Sequence, residues 1–219
     1  MLWGVDRADP EIPKLLDAGM PLVAVDLEVV GDHATWVSSD NVGGARLAVR
    51  HLHDLGHTRI ATITGLVETK PGSERLEGYR SEMESLGLAT PPEYERGGDF
   101  YADSGEVAMR ALLALPEPPT AVFAASDEMA IGAIGAARGA GVAVPKGISL
   151  VGFDDSRLAA LVQPPLTTVS QDRIGLGLAA ARALAATIEH PDEAPAPSVL
   201  PVELVVRESS ARPAGPRRG

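Results

Sequence analysis

An α/β fold with parallel sheets is predicted for this 219-residue chain, on three observations. Four runs are continuously apolar, as strands covered on both faces are, rather than alternating: PLVAVD (21–26), RIATITG (59–65), TAVFAAS (120–126) and ISLVGFD (148–154). Segments with helical spacing separate them, the pattern of βα layers. Acids stand at three of the strand ends, Asp26, Asp127 after Ser126, and Asp154, where open parallel sheets bind their ligands.

The helices follow in order. Ala45, Ala48, Leu52 and Leu55 step three, four, three toward a stop at Gly56. Residues 72–87 form the next helical segment, closed by Gly87. Asp103 or Ser104 can cap a helix carrying Val107, Ala111, Leu112 and Leu115. Asp127 and Glu128 open another, with Ile131, Ile134 and Ala137 inside and Gly139 or Gly141 at its end. Residues 172–189 make the last long helix, residues 189–198 a loop, and VLPVELVVRES a final strand pair. The tail, 211–219, is polar, short, rich in Pro and Gly, and expected to be disordered.

Composition narrows the function. A formal net charge of −11 repels phosphate backbones, so these residues alone make a poor nucleic-acid binder. Without cysteine there is neither a disulfide framework nor a thiolate zinc site. No apolar run approaches the roughly 20 residues that span a bilayer, and the N-terminus does not read as a signal peptide.

Several motifs are decoys. GLGLAA (175–180) matches a dinucleotide fingerprint, but Gln171 to Ile174 intervene after the strand, so Gly175 and Gly177 fall inside a helix. His51, His53 and His57 cluster, yet positions two apart do not share a helix face; they read as surface residues plus a helix-end histidine. The pair Asp154–Asp155 resembles general acid/base equipment but has no partner at a recognisable spacing. No catalytic residue, metal ligand or cofactor is therefore expected.

What the strand ends offer is a mixed polar pocket. Carboxylates accept hydrogen bonds from hydroxyls, Arg75 supplies a rigid fork of donors, and Phe100 a flat face for the C–H side of a sugar or for a base. Plain structural roles compete: Asp127 as a helix cap, Asp155 as the cap of a short helix from Ser156, Asp26 as a loop acid, Phe100 as core, and Arg75 as a solvated helix residue.

Four blocks, DNVGGARLAVRHLHDLGHTRIATITG (40–65), ERLEGYRSEMESLGL (74–88), the run 119–155 ending in GFDD, and PPLTTVSQDRIGLGLAAARAL (164–184), with LPVELVVRESS (200–210), resemble the effector-binding domain of LacI/GalR-type bacterial transcriptional regulators. The resemblance covers nearly the whole chain. It implies a two-lobe, periplasmic-binding-protein-like (type I) fold crossed by three chain passages, with an effector between the lobes. The first lobe maps to 1–66 and 172–190, the second to 67–168 and 195–210, and PPLTTVSQD reads as the return crossing. By the same resemblance Arg75 grips the effector, Phe100 stacks on it, Asp154 is the first acid of the GFDD element, Asp40 faces the cleft and Gln171 contacts the ligand from the crossover; Ser126, where many relatives carry Asn, and Asp127 complete the expected ligand set. The family's helix-turn-helix and the start of its first lobe have no counterpart, so a truncated first lobe is expected. The implied role is sensing a sugar-like or nucleoside-like effector as a cytoplasmic homodimer, reaching operator DNA only through a domain absent from this chain. The alternative is an extracytoplasmic sugar-binding protein of a transporter.

Overall fold

The computed structural model describes residues 1–3, 9–190, 193 and 195–213. In chain order the elements are β1 (Leu2–Trp3), α1 (Glu11–Asp17), β2 (Leu22–Val25), β3 (Ala34–Ser39), α2 (Asn41–Asp54), β4 (Ile60–Ile63), α3 (Lys70–Ser85), β5 (Glu95–Arg96), α4 (Ala102–Leu113), β6 (Ala121–Ala124), α5 (Asp127–Gly139), β7 (Ser149–Asp154), β8 (Thr167–Gln171), α6 (Arg173–Glu189), β9 (Ser198–Leu200) and β10 (Val202–Val205). They form two sheets, ordered β1-β2-β3-β9 and β10-β8-β7-β6-β4-β5. Every pairing is parallel except β10 against β8.

Each sheet is sandwiched, and the two-residue strand period sorts its side chains between the faces. In the first lobe Leu22 and Ala24 point to α1 and Ile12, while Val23 and Val25 meet Leu176 and Ala180 of α6. In the second, Ala61, Ile63, Val122 and Leu150 pack against α4 and α5, and Ile60, Phe123, Val151 and Phe153 against α2 and α3. Phe123 and Phe153 are fully buried, each stabilising the fold by about 1.5–3 kcal/mol. The helices α4 and α5 nearly touch backbone to backbone: a Cβ on Gly132 would lie 1.9 Å from the Ala102 carbonyl oxygen.

The sequence-drawn division into lobes needs correction. β4 pairs with β5 and β6, and α2 packs on α3, β6, β7, β8 and β10, so residues 41–66 belong to the second lobe. The chain crosses between Ser39 and Asn41, between Gln171 and Arg173, and between Leu200 and Val202. PPLTTVSQD is thus a strand of the second sheet before it becomes a crossing. β9 and β10 do not pair with one another; Pro201 separates two strands that join different sheets.

Local chemistry also departs from expectation. α4 has no side-chain cap: Ser104 Oγ accepts from the Asp99 N–H and donates to the Tyr101 carbonyl. Val107 is 69% exposed, and Gly105, Ala108, Met109 and Leu112 form the buried stripe instead. Asp155 caps nothing; its Oδ1 pairs with Arg207 at 2.6 Å.

His57, the helix-end histidine just past α2, is buried. Its Nε2 donates to the Ala211 carbonyl at 2.9 Å, so its Nδ1 accepts from Thr120 Oγ1, also at 2.9 Å. Burial lowers its pKa and keeps it neutral, against the opposing pull of the Ala211 carbonyl. The predicted tail is therefore pinned at its first residue, with the Ala211 N–H donating to Ser149 Oγ; residues 214–219 lie outside the described residues. Replacing His57 with alanine is expected to cost about 1–3 kcal/mol and to speed amide exchange at residues 209–211. Unchanged exchange there would show that the tail is held by other contacts.

Candidate functional site

The strand ends of both sheets face one another across a cavity of about 600 Å³. From the first lobe come Val25 and Asp26 at the end of β2, and Arg173 at the start of α6. The second lobe supplies Thr69, Pro71 and Arg75 from α3 and its approach, Asp99, Phe100 and Tyr101 before α4, Ser126 and Glu128 at the start of α5, and Asp154 at the end of β7. Gln171 lies at the crossing between them.

Backbone strain collects in the same place. Among the described residues, four that are not glycine have positive φ: Asp26 (58°), Phe100 (75°), Asp154 (115°) and Asp155 (49°). The first three line the cavity. Such conformations cost of order 1–3 kcal/mol each and concentrate at functional sites.

Thr69 Oγ1 accepts from the Gly72 N–H and starts α3, so that Arg75 projects from its second turn into the cleft floor. Arg75 is 4% exposed. Its Nε donates to Asn41 Oδ1 at 2.9 Å, and one terminal nitrogen to the Ala125 carbonyl at 2.6 Å and Asp154 Oδ1 at 3.4 Å. The guanidinium lies 3.7 Å from the centre of the Phe153 ring and 5.9 Å from that of Phe100. Gln171 bridges the lobes, donating to Asp154 Oδ1 at 2.5 Å and accepting from Ser39 Oγ at 2.7 Å. Burial lowers the pKa of Arg75 against the pull of Asp154, Asp26 and Asp127, and raises that of Asp154 against Arg75 and Gln171. Asp99 is held low by the neighbouring Ser104 hydroxyl and by the Tyr101 N–H, which donates to its Oδ1 at 3.0 Å.

Phe100 stands over Gly65, where a Cβ would lie 2.0 Å from its ring, and its carbonyl accepts from Ser126 Oγ at 2.9 Å. Gly65→Ala should therefore push the ring off its seat while leaving the sheets intact. Ligand-induced stabilisation is expected to fall at least tenfold in apparent affinity with little change in melting, as thermal unfolding would show. Unaltered affinity would mean that Phe100 is not a ligand contact.

Of the seven predicted ligand residues, Arg75, Phe100, Ser126, Asp154 and Gln171 line the cavity, and Asp40 and Asp127 do not. Asp40 is the N-cap of α2, its Oδ1 accepting from the Gly43 N–H at 2.8 Å. Asp127 is fully buried beneath the cleft, bound to Thr168 Oγ1 and to the Ser156 N–H. Ser126 spends its hydroxyl on Phe100 and on capping α5. Sequence reasoning missed Asp99, Tyr101, Glu128 and Arg173. Arg173 had a legible signal, since it follows a helix-capping Asp172 directly after a crossing.

Two parallel-sheet lobes joined by three crossings around a polar cleft define a hinged ligand-binding protein. Residues 49–210 match the family described as periplasmic binding protein-like domain. The chain belongs to that family, and its relatives are LacI-type transcriptional regulators. It is 40% identical over 212 residues to the HTH-type transcriptional regulator CelR of Thermobifida fusca, covering 95% of this chain and 62% of the relative. The ribose operon repressor of Escherichia coli is 42% identical over 158 residues, covering 72% of this chain and 48% of that protein. Among solved structures, a CelR–cellobiose complex superposes with a TM-score of 0.90 at 40% identity, covering 95% of this chain and 64% of that one. A LacI transcriptional regulator from a Rhodococcus species gives 0.88 at 33% identity, covering 97% and 78%. The chain thus spans about half to two thirds of the length of the curated relatives it matches.

Proposed function

We propose that this chain senses a neutral saccharide on behalf of a LacI-type regulator. The observation that carries this reading is the charge of the cleft. Its walls hold five carboxylates (Asp26, Glu68, Asp99, Glu128 and Asp154) against two guanidiniums (Arg75 and Arg173), and Arg75 is already engaged by Asp154. Carboxylates have lone pairs to accept from sugar hydroxyls, while Phe100 and Tyr101 offer apolar faces to a sugar ring. A phosphorylated sugar would meet like charge in this cavity. The relatives' own descriptions, a cellobiose complex and a ribose operon repressor, point to uncharged sugars as well.

On this reading the effector draws the lobes together, and a homodimer in the cytoplasm passes that change to operator-reading domains outside this chain. The regulator relatives favour this over delivery of sugar to a transporter, and the engagement of Asp154 by Arg75 and Gln171 favours binding over catalysis. The test is thermal unfolding with cellobiose, ribose, glucose 6-phosphate and ribose 5-phosphate. A neutral sugar at about 100 times its dissociation constant should add about 2.7 kcal/mol. A larger shift with a phosphorylated sugar, or none with any neutral one, would overturn the proposal.

A further inference from the structure

Asn41, 1% exposed, sits at the first crossing between the lobes. Its Oδ1 accepts from Arg75 Nε at 2.9 Å, and its Nδ2 donates to Glu74 Oε2 at 3.0 Å and to the Ser39 carbonyl at 3.2 Å. Only one orientation of the carboxamide works, because the reverse would set N–H groups against a guanidinium and oxygen against a carboxylate.

Glu74 leads onward. Its Oε1 accepts from Lys70 Nζ at 2.5 Å, and the same ammonium donates to Glu28 Oε1 at 2.6 Å and lies 4.6 Å from the centre of the Trp36 ring. Lys70 and Glu74 belong to α3 in the second lobe, whereas Glu28 follows β2 and Trp36 is in β3, both in the first. Lys70 is 6% exposed. Burial alone would lower its pKa, but the bonds to Glu28 and Glu74 outweigh this and the ammonium stays charged. A buried cation is thus held in place by both lobes at once, one side chain away from the residue that orients Arg75.

We propose that Asn41 is a positioning residue of the sensor: one end of its carboxamide aims the Arg75 fork into the cleft, and the other holds the Glu74–Lys70–Glu28 bridge between the lobes, so that ligand grip and lobe angle are set through a single side chain. This rests on the effector-sensing reading above and deepens it. The residue type follows from the task. An aspartate could accept from Arg75 but could not donate to Glu74, and an alanine could do neither.

The chain has no cysteine, so a spin-label pair can be placed cleanly at Val30→Cys in the first lobe and Val107→Cys in the second, positions 90% and 69% exposed. The label distance is measured without ligand and with cellobiose as the probe, alongside calorimetric affinity, in the parent, Asn41→Ala, Lys70→Met and the double variant. Both single variants should widen the ligand-free distance and weaken cellobiose binding about fivefold or more. The double variant should be no worse than the worse single one, since both break the same connection. An unchanged distance in Asn41→Ala, or losses that multiply in the double variant, would overturn the proposal. Should the parent not bind cellobiose, that failure belongs to the choice of effector, and the ligand-free distances still decide the role of Asn41. Should Asn41→Ala not melt cooperatively, Asn41→Asp, which keeps the acceptor for Arg75 but loses the donor to Glu74 and to the Ser39 carbonyl, takes its place under the same criteria.

Discussion

Replacing Arg75 with alanine is expected to abolish ligand-induced stabilisation and to cost about 3–5 kcal/mol by itself, the usual penalty for orphaning one partner of a buried ion pair. That is a large part of the roughly 5–15 kcal/mol a domain holds. The arginine is the cation for Asp154, with Asp26 and Asp127 nearby, so its removal leaves carboxylates facing one another across the cleft floor. Arg75→Lys should not restore binding: a lysine cannot stack flat on Phe153 while also reaching Asn41, Ala125 and Asp154. The informative variant is the double replacement Arg75→Met with Asp154→Asn. It removes both charges and should recover most of the lost stability without recovering affinity. Urea unfolding with and without cellobiose measures both quantities. If Arg75→Ala alone keeps its ligand response, Arg75 is a structural cation and the binding floor lies elsewhere.

The second large effect concerns pH. Burial pushes the Asp127 carboxyl up to about 6, even though Thr168 and the Ser156 N–H stabilise its charge. In the unfolded chain an aspartate titrates near 3.9. Its folded pKa is raised, so its contribution to stability is fully present below about pH 4 and is lost as pH rises through about 6. Two units of difference correspond to about 3 kcal/mol. The protein should therefore gain stability from this group between pH 7 and 4, opposite to the usual acid behaviour of carboxylates. Asp127→Asn removes the titration, and the Thr168 hydroxyl can turn to accept from the new amide. The stability difference between parent and variant should change by about 2–3 kcal/mol between pH 7 and 4. Parallel urea midpoints across that range would show that Asp127 ionises normally.

The four strands read from sequence all formed, each slightly shorter than drawn, because continuous apolar runs have no other good solution in a soluble α/β layer. β3 escaped notice because its buried positions include Thr35, Ser38 and Ser39. The two serines are satisfied by the hydroxyl bonds Ser38–Asp26 and Ser39–Gln171, which no local pattern announces, while the buried Thr35 hydroxyl has no hydrogen-bond partner. The lobe boundary was misplaced for a related reason. The apolar stripe of α2 is the same whichever sheet it covers, and the crossing at 39–41 carries neither proline nor glycine. Among the site residues, Arg75, Phe100, Asp154 and Gln171 were legible through their resemblance to a known pattern. Asp40 was misread although its capping role is a local i to i+3 relation. Asp127 was misread because Ser126 takes the capping seat of α5, and the next side chain then turns under the sheet.

The pairing of β3 with β9 has a consequence for how the chain is made. Val37 lies beside Ser198, so the first sheet cannot gain that outer strand until residues 198–200 have left the ribosome, long after Val37. The central strands of the other sheet, β4, β6 and β7, come from the contiguous stretch between Ile60 and Asp154 and can assemble much earlier, since closing short loops comes before closing long ones. The strands around Arg75, Phe100 and Asp154 can therefore pair before either sheet receives its last strand, β9 on one side and β10 on the other.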